Sequence, residues 1–479
     1  MISSDQSPKV GLTHWMQQVL TQADSAAEGF ESGAVHDLRT ALRRCRSIAD
    51  GAMVFDPDPA WKKMRRAGKQ LFQSLGALRD THVLTDWLGK LAPDGDQTAQ
   101  SLSRYLQLQE QELRGVAARA LQQFDRIRWN RWAAELPSHL GRIPLDSGLF
   151  GHLALERWNE ASALHRRALR NRSNVAFHDL RIGIKRLRYT IENFLPALHE
   201  FWGADLKEVQ DALGDVHDLD VLWATALRVN AFPDLTSRDA WRVRIQVCRQ
   251  ACLARYRHKM VGNSQWKSWR GALPKDEQLR DLGLQRLELW ASFLDPNLRH
   301  ACHVRRLSMQ IFDGTSGALS PRQCETSRFV LQAAALLHDV GRAKTNKGHH
   351  KESARLIRKL RVPLGWSAEE IGLAALVARY HRGALPGATQ KRFSAAPRPK
   401  QFVVQFLSGI LRLACAFDTE RNEQIRKLDV ECTESVLKVW AQGYGAGSPM
   451  AEHLARARYL LEVAYNRPVF ISPAEVTVA

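Results

Sequence analysis

Between His36 and Arg46 the apolar positions are Leu38, Ala41, Leu42 and Cys45. At 100° per residue they share an arc of about 100°, and His36, Arg39, Arg43 and Arg46 share the opposite arc of about 80°. The same division recurs from His178 to Arg188. There Leu180, Gly183, Ile184 and Leu187 face one way, and His178, Arg181, Lys185 and Arg188 the other. Long segments rich in Ala, Leu, Arg, Gln and Glu fill most of the chain, and alternating β-branched runs are nearly absent. That pattern predicts helices almost throughout and argues against strands. Breakers fall at Asp56 to Pro59, Pro93 to Gly95, Pro144 to Gly148, Phe232-Pro233, Gly271 to Pro274, Pro321, and Gly383 to Pro399.

The two matching stripes lie 142 residues apart. Each is followed by a second matching element, Leu75 to Leu84 and Leu213 to Leu222, at an offset of 138. Two ordered matches at nearly one offset indicate an internal duplication. Residues 1–275 therefore read as a repeated helical unit, with halves at about 30–140 and 150–275. Residues 280–479 have a different motif set.

Composition adds a partner class. The chain has 479 residues, with 69 Lys+Arg against 50 Asp+Glu, a formal charge of +19. A hydrophobic fraction of 44% is enough for packed cores and excludes a wholly disordered chain. The surplus charge calls for a polyanion. Four cationic or titratable side chains along one helix stripe repel one another, and an anion lying between them relieves that repulsion. Guanidinium forks match phosphate oxygens in pairs. Neither stripe contains the aromatic residues that stack on nucleic-acid bases, so nucleic acid is disfavoured and a ligand made only of phosphate is favoured. A solvated helix face is the alternative for either stripe alone; the repetition argues against it.

No charged start followed by an apolar run occurs, so no signal peptide is expected. No stretch of 18 or more apolar residues exists to span a membrane. Seven scattered cysteines, Cys45, Cys248, Cys252, Cys302, Cys324, Cys415 and Cys432, fit a reducing cytoplasm. Cys248 and Cys252 lie one helical turn apart without a second ligand pair, and read as ordinary thiols.

The His-x-x-Arg-x-x-x-Arg/Lys-x-x-Arg stripe in both halves, each followed by Leu-Gly-x-x-x-Asp-x-x-Val-Leu, resembles the CHAD domain, the conserved histidine α-helical domain. The resemblance implies two pseudo-symmetric bundles around a basic pore. It also implies inorganic polyphosphate as ligand and an association with polyphosphate granules. It carries His36, Arg39, Arg43, Arg46, His178, Arg181, Lys185 and Arg188 over as phosphate contacts. Lys185 keeps the charge of the usual arginine and loses its fork.

Residues 300–418 hold an ordered histidine and aspartate set. It comprises His300, Leu336-Leu337-His338-Asp339-Val340-Gly341, His349-His350-Lys351-Glu352-Ser353-Ala354, Ala378-Arg379-Tyr380-His381-Arg382, and Leu411 to Asp418. A His-Asp pair at a helix end, completed by an earlier His and a distant Asp, suits a divalent ion such as Mn²⁺, Fe²⁺ or Mg²⁺. Such an ion acidifies water and polarises a phosphoryl oxygen. The set resembles the HD metal-dependent phosphohydrolases, and most closely the helical HD domain of the Ppx/GppA family, the exopolyphosphatases and guanosine pentaphosphate phosphohydrolases. On that resemblance His300 is the first ligand, with His303 as an alternative. His338 and Asp339 form the catalytic pair, and Asp418 is the last ligand. His349 or His350, with His381, serves a second metal or the phosphate. Lys344, Arg379 and Arg382 could meet a charged substrate or simply face water. The ATPase-fold domain that carries exopolyphosphatase chemistry in that family is not seen in the sequence.

The expectation is thus an all-α chain, a duplicated CHAD-like bundle followed by an HD-type domain. It binds polyphosphate in the cytoplasm or at granules, without a membrane, as a monomer or homo-oligomer. Either it hydrolyses a phosphorylated substrate or it is a non-catalytic polyphosphate receptor.

Overall fold

The structure, a computed structural model, describes residues 11–262 and 265–474. The chain divides into two units, Met1–Val54 with Asp58–Lys275, and Phe55–Pro57 with Asp276–Ala479. Among the described residues no helix is long and apolar enough to cross a membrane.

The first unit holds α1 (Leu12–Ala27), α2 (Ser32–Ala52), α3 (Pro59–Leu91), α4 (Gln97–Gln122), α5 (Arg126–Leu140), α6 (Gly148–Asn171), α7 (Asn174–Phe194), α8 (Pro196–Arg228), α9 (Leu235–Arg257) and α10 (Gln265–Gly271). The duplication is visible in the lengths. Helices α2 and α7 both have 21 residues, and α3 and α8 both have 33 and open on proline. Proline suits the first helical position, where its missing N–H costs nothing. Side-chain caps fix other starts: Asp96 accepts from Ala99 N at 2.8 Å, and Asp234 from Ser237 N at 2.7 Å. The apolar faces of the two stripes are buried in the unit, with Leu38, Leu42, Cys45, Leu180, Ile184 and Leu187 all fully inside. Helix α2 packs on α3 and α7 on α8 within each half, while α2 meets α7 and α3 meets α8 across the halves. The charged stripes therefore flank the pseudo-twofold contact.

The second unit holds α11 (Leu279–Ser292), α12 (Leu298–Thr315), α13 (Pro321–Leu337), α14 (His349–Ile357), α15 (Ala368–Tyr380), α16 (Lys391–Ser394) and α17 (Arg398–Ala416). Then follow β1 (Lys427–Cys432), β2 (Leu437–Gln442), α18 (Met450–Ala457), α19 (Tyr459–Tyr465) and β3 (Val469–Pro473). Complete capping boxes start α13 (Ser320 with Gln323) and α15 (Ser367 with Glu370). Helices α12, α13, α15 and α17 enclose one core containing Val304, Leu307, Leu331, Leu337, Val377, Leu407 and Leu411.

The all-α expectation holds for the framework, and a small sheet is added to it. Strand β2 is central, antiparallel to β1 (Lys427 opposite Gln442) and parallel to β3 (Leu437 opposite Val469). Its alternation is real, with Leu437, Val439 and Ala441 buried. Three positions are too short a run to stand out against helical texture.

Candidate functional site

Both stripes form on adjoining helices, and their central cations meet. Arg39 and Arg43 on α2 and Arg181 on α7 all act electrostatically on Lys185, which burial and these neighbours push down to about 7. Burial and the neighbouring Arg44, Arg188 and Arg181 likewise lower Arg43, which among the described residues hydrogen-bonds from Nη2 to Thr40 Oγ1 at 2.9 Å. The ends of the stripes are more engaged. Arg188 lies 3.7 Å from Glu192, His178 packs on His217 with ring centres 4.9 Å apart, and His36 is exposed near Arg79. The side-chain Nε atoms of Arg43, Arg46, Arg181 and Arg188 are buried and hydrogen-bond to nothing. Arg188 Nε has the Glu192 carboxylate at 3.7 Å; buried cationic donors such as the other three are costly unless an anion supplies their acceptors.

Sequence reasoning missed four groove residues. Arg79, Asp80, His217 and Asp218 come from the second repeated element on α3 and α8, and Asp80 and Asp218 both act on Arg181 and Lys185. Burial raises Asp218 to about 6, against the pull of Arg181 and Lys185. Burial, Arg181 and His178 lower His217 to about 4. The aligned Asp positions at a repeat offset of 138 were the available signal. The stripes carry no aromatic, yet Phe72 from α3 lies under Arg39 and Arg46, at 4.4 and 4.8 Å, and Tyr189 under Arg43 at 5.7 Å. These rings are already covered by guanidinium. Arg244, Arg255 and Lys259 lie outside this set and are paired with Asp96, Asp215 and Asp205.

These pKa directions give a testable pH response. As pH falls from 8 to 5, Lys185 gains a proton near 7 and Asp218 becomes neutral near 6, so the groove gains positive charge twice. Affinity for a condensed-phosphate anion should rise by about tenfold or more over that interval and fall again as pH rises. Titration calorimetry of Lys185→Arg at both pH values checks it. This variant should keep tight binding at pH 8; an unchanged pH profile would remove Lys185 from the explanation.

In the second unit the functional side chains sit at helix ends that converge. His300 lies in the first turn of α12, where the Asn297 side chain caps its N–H at 3.2 Å. His338 and Asp339 follow α13, His349 opens α14 behind Gly348 (φ 77°), His381 follows α15 and Asp418 follows α17. Gly341 lets these ends approach: a Cβ there would sit 2.3 Å from His349 O and 2.6 Å from Ser353 N, while its own N–H donates to Ser353 Oγ at 2.9 Å.

Each imidazole is turned the same way. His338 and His381 donate from Nδ1 to the carbonyls of Ala335 and Ala378, both at 2.7 Å, and His349 donates to that of Asn346 at 3.1 Å. A carbonyl can only accept, so Nδ1 carries a proton, and in the neutral ring that leaves the Nε2 lone pair free. Burial lowers His338, and lowers His381 further, so both are neutral. Asp339 is 1% exposed. Burial works against its charge, and the Arg342 and Arg421 guanidiniums on its Oδ2 work for it. Its Oδ1 hydrogen-bonds to nothing and has Nε2 atoms of His349, His338 and His381 at 3.1, 3.8 and 4.0 Å. Acceptors facing acceptors around a buried carboxylate are the chemistry of a cation site. Two groups of donors, His300/His338/Asp339 and Asp339/His349/His381, could each hold a metal ion, and Asp339 is common to both.

Asp418 is placed differently from the other expected ligands. Its Oδ2 accepts from His300 Nδ1 at 2.6 Å and its Oδ1 from Glu423 N at 2.9 Å, which leaves His300 Nε2 facing the cluster. His350 stands outside the donor groups, its ring 6.2 Å from that of His381, and His303 accepts from Arg306 at 2.9 Å. Two residues absent from the sequence reading bind Asp339 Oδ2: Arg342 through Nε at 2.7 Å, and Arg421, whose φ of 57° is set in the turn that Asp418 closes. Lys344 reaches Glu352 at 3.4 Å.

Comparison with known families matches residues 11–227 to the CHAD domain and residues 288–444 to domain III of the Ppx/GppA phosphatases. No curated protein matches the chain. A crystal structure of the CHAD domain from the plant Ricinus communis aligns at 22% identity over 55% of this chain and 90% of that one, with a TM-score of 0.38.

Proposed function

We propose that the chain binds inorganic polyphosphate in the first-unit groove and that its second unit is an HD-type, metal-dependent phosphohydrolase. The reaction would be on polyphosphate or a phosphorylated nucleotide. The observation that carries the enzymatic reading is the Asp339 Oδ1 atom, buried without a hydrogen bond among the Nε2 atoms of His349, His338 and His381. Orphaned Nε donors in the groove support the anion reading. Both family matches point to polyphosphate-related chemistry.

His300, His338 and Asp339, with His349 and His381 sharing Asp339, are the residues that would hold the ion. Donors this rich in imidazole suit Mn²⁺ or Fe²⁺ better than Mg²⁺. When bound, a divalent ion there supplies Lewis acidity toward phosphoryl oxygen and water. The chain's own residues do the rest. Backbone carbonyls of Ala335, Ala378 and Asn346 hold a proton on Nδ1, so that each ring in its neutral form turns the Nε2 lone pair to the cluster. Asp418 orients His300. Arg342 and Arg421, anchored on Asp339, present guanidinium N–H groups to a phosphoryl group beside the cluster.

A second reading is a polyphosphate receptor whose second unit is an accessory clamp. It is favoured by Asp418, which spends both carboxylate oxygens within the protein. A hydrolysis screen with Mn²⁺, Fe²⁺ and Mg²⁺ decides between them, using long-chain polyphosphate, guanosine tetra- and pentaphosphate, and ordinary nucleotides. The expected result is phosphate release from at least one of these, with Mn²⁺ or Fe²⁺ ahead of Mg²⁺. A metal-loaded chain that turns over none of them is the receptor.

A further inference from the structure

Helix α17 supplies no donor to either group around Asp339, yet it reaches a histidine in each of them. Just past its end, Asp418 accepts from His300 Nδ1 at 2.6 Å. Earlier on the same helix, Arg412 reaches the end of α15, where His381 stands.

Arg412 spends its guanidinium on main chain. Its Nε donates to Tyr380 O at 2.6 Å, and its Nη2 to Gly383 O at 2.6 Å and Ala384 O at 3.2 Å. Among the described residues no carboxylate pairs with it. Burial works against the charge and lowers the guanidinium from its ordinary range. Three carbonyl dipoles offset that cost.

These bonds enclose His381. Tyr380 is the last residue of α15, and the last four carbonyls of a helix have no partner inside it. Side chains meet two of them: His381 Nδ1 donates to Ala378 O at 2.7 Å, and Arg412 to Tyr380 O. A basic side chain on the final carbonyls is an ordinary helix cap. Gly383 and Ala384 lie beyond the helix, and a cap does not require bonds to them. Arg412 thus grips the chain on both sides of His381. The turn is confined from another direction as well. Gly383 has a φ of 76°, and a Cβ there would sit 3.1 Å from His350 Nε2. Within this frame His381 Nε2 lies 3.4 Å from His349 Nε2 and 4.0 Å from Asp339 Oδ1. A shift of the turn would carry the ring out of that spacing.

We propose that Arg412 is a positioning residue for metal binding. It fixes the turn that carries His381, as Asp418 fixes His300, so α17 supports both donor groups without contributing a ligand. This rests on the metal-binding reading of the Asp339 cluster.

The test uses the full chain and Co²⁺, whose visible absorption reports its ligands. Arg412→Met should weaken Co²⁺ binding about tenfold or more and change the visible spectrum. Arg412→Lys can bond one of the three carbonyls, so it should lose about threefold or more; it serves where the methionine variant does not fold. In a His381→Ala background the same Arg412 substitution should cost less than about twofold, because the ligand it positions is gone. Native affinity and spectrum in folded Arg412→Met and Arg412→Lys, with only the melting temperature lowered, would leave Arg412 a helix cap and overturn the proposal. An equal loss with and without His381 would overturn it too. A native chain that takes up no Co²⁺ would sink the metal reading itself. Native Co²⁺ binding that the Arg412 variants match would sink the positioning role alone.

Discussion

Replacing Arg43 and Arg181 together by glutamine should weaken long-chain polyphosphate binding by about 10²-fold or more, with helix content unchanged. Each charge-assisted hydrogen bond to phosphate is worth roughly 1.5–3 kcal/mol, and two are removed from the centre of the groove. The size of the stability change separates function from structure. Neither Nε has a partner to lose, Arg43 gives up a single bond to Thr40 and sits among other cations, and Arg181 stands between Lys185 and the carboxylates of Asp80 and Asp218. Neutralising them relieves repulsion at Arg43 and removes attraction at Arg181, so the melting temperature should change little. Arg44→Gln is the contrast. Arg44 is bound to Glu192 and lies 5.1 Å over Trp15, so its loss should cost stability and leave binding nearly intact. A double variant that melts earlier yet still binds polyphosphate as tightly would show the stripe to be architectural.

How much of this was legible in the sequence differs between the two sites. In the groove, helical periodicity put Arg39, Arg43, Arg181 and Lys185 on the correct faces, because a helix face is a local property of the chain. The duplication supplied the rest, since matching stripes imply matching surroundings. What was not legible is what α3 and α8 bring to the stripes. Asp80, Asp218, Arg79 and His217 stand in the second repeated element, and only the packing of α2 on α3 and α7 on α8 sets them opposite the cations. The aromatic argument needed the same correction, because Phe72 is remote in sequence from the arginines above it.

In the second unit the motif order identified His300, His338, Asp339, His349 and His381, whose donor atoms converge. It gave no means of dividing ligands from their supports. Whether Asp418 faces the cluster directly or through His300 depends on the turn after α17, and the same turn delivers Arg421. Backbone carbonyls that fix three imidazole tautomers are invisible to any pattern of side chains. The sheet beside α12 was missed for a plainer reason: its strands are five or six residues long.

The sharpest expectation concerns Asp339, because two substitutions there should separate metal binding from stability. Either Asp339→Asn or Asp339→Ala removes the charge shared by both donor groups, and metal affinity should fall by about 10²-fold or more. In the metal-free chain the two should part company. Alanine leaves Arg342 and Arg421 without their common carboxylate, at a cost of about 3 kcal/mol or more. Asparagine keeps an oxygen for the guanidiniums and turns an NH₂ toward Nε2 atoms that have only lone pairs to offer. It supplies the donor the native cluster lacks, so metal-free Asp339→Asn should melt at or above the native chain. Added Mn²⁺ should then raise the melting temperature of the native chain, since binding to the folded state alone stabilises it by mass action, and leave the asparagine variant unmoved. An asparagine variant that still gains stability from Mn²⁺ would place the ion elsewhere. One that melts well below the native chain without metal would mean that the Nε2 atoms carry protons and do not act as acceptors.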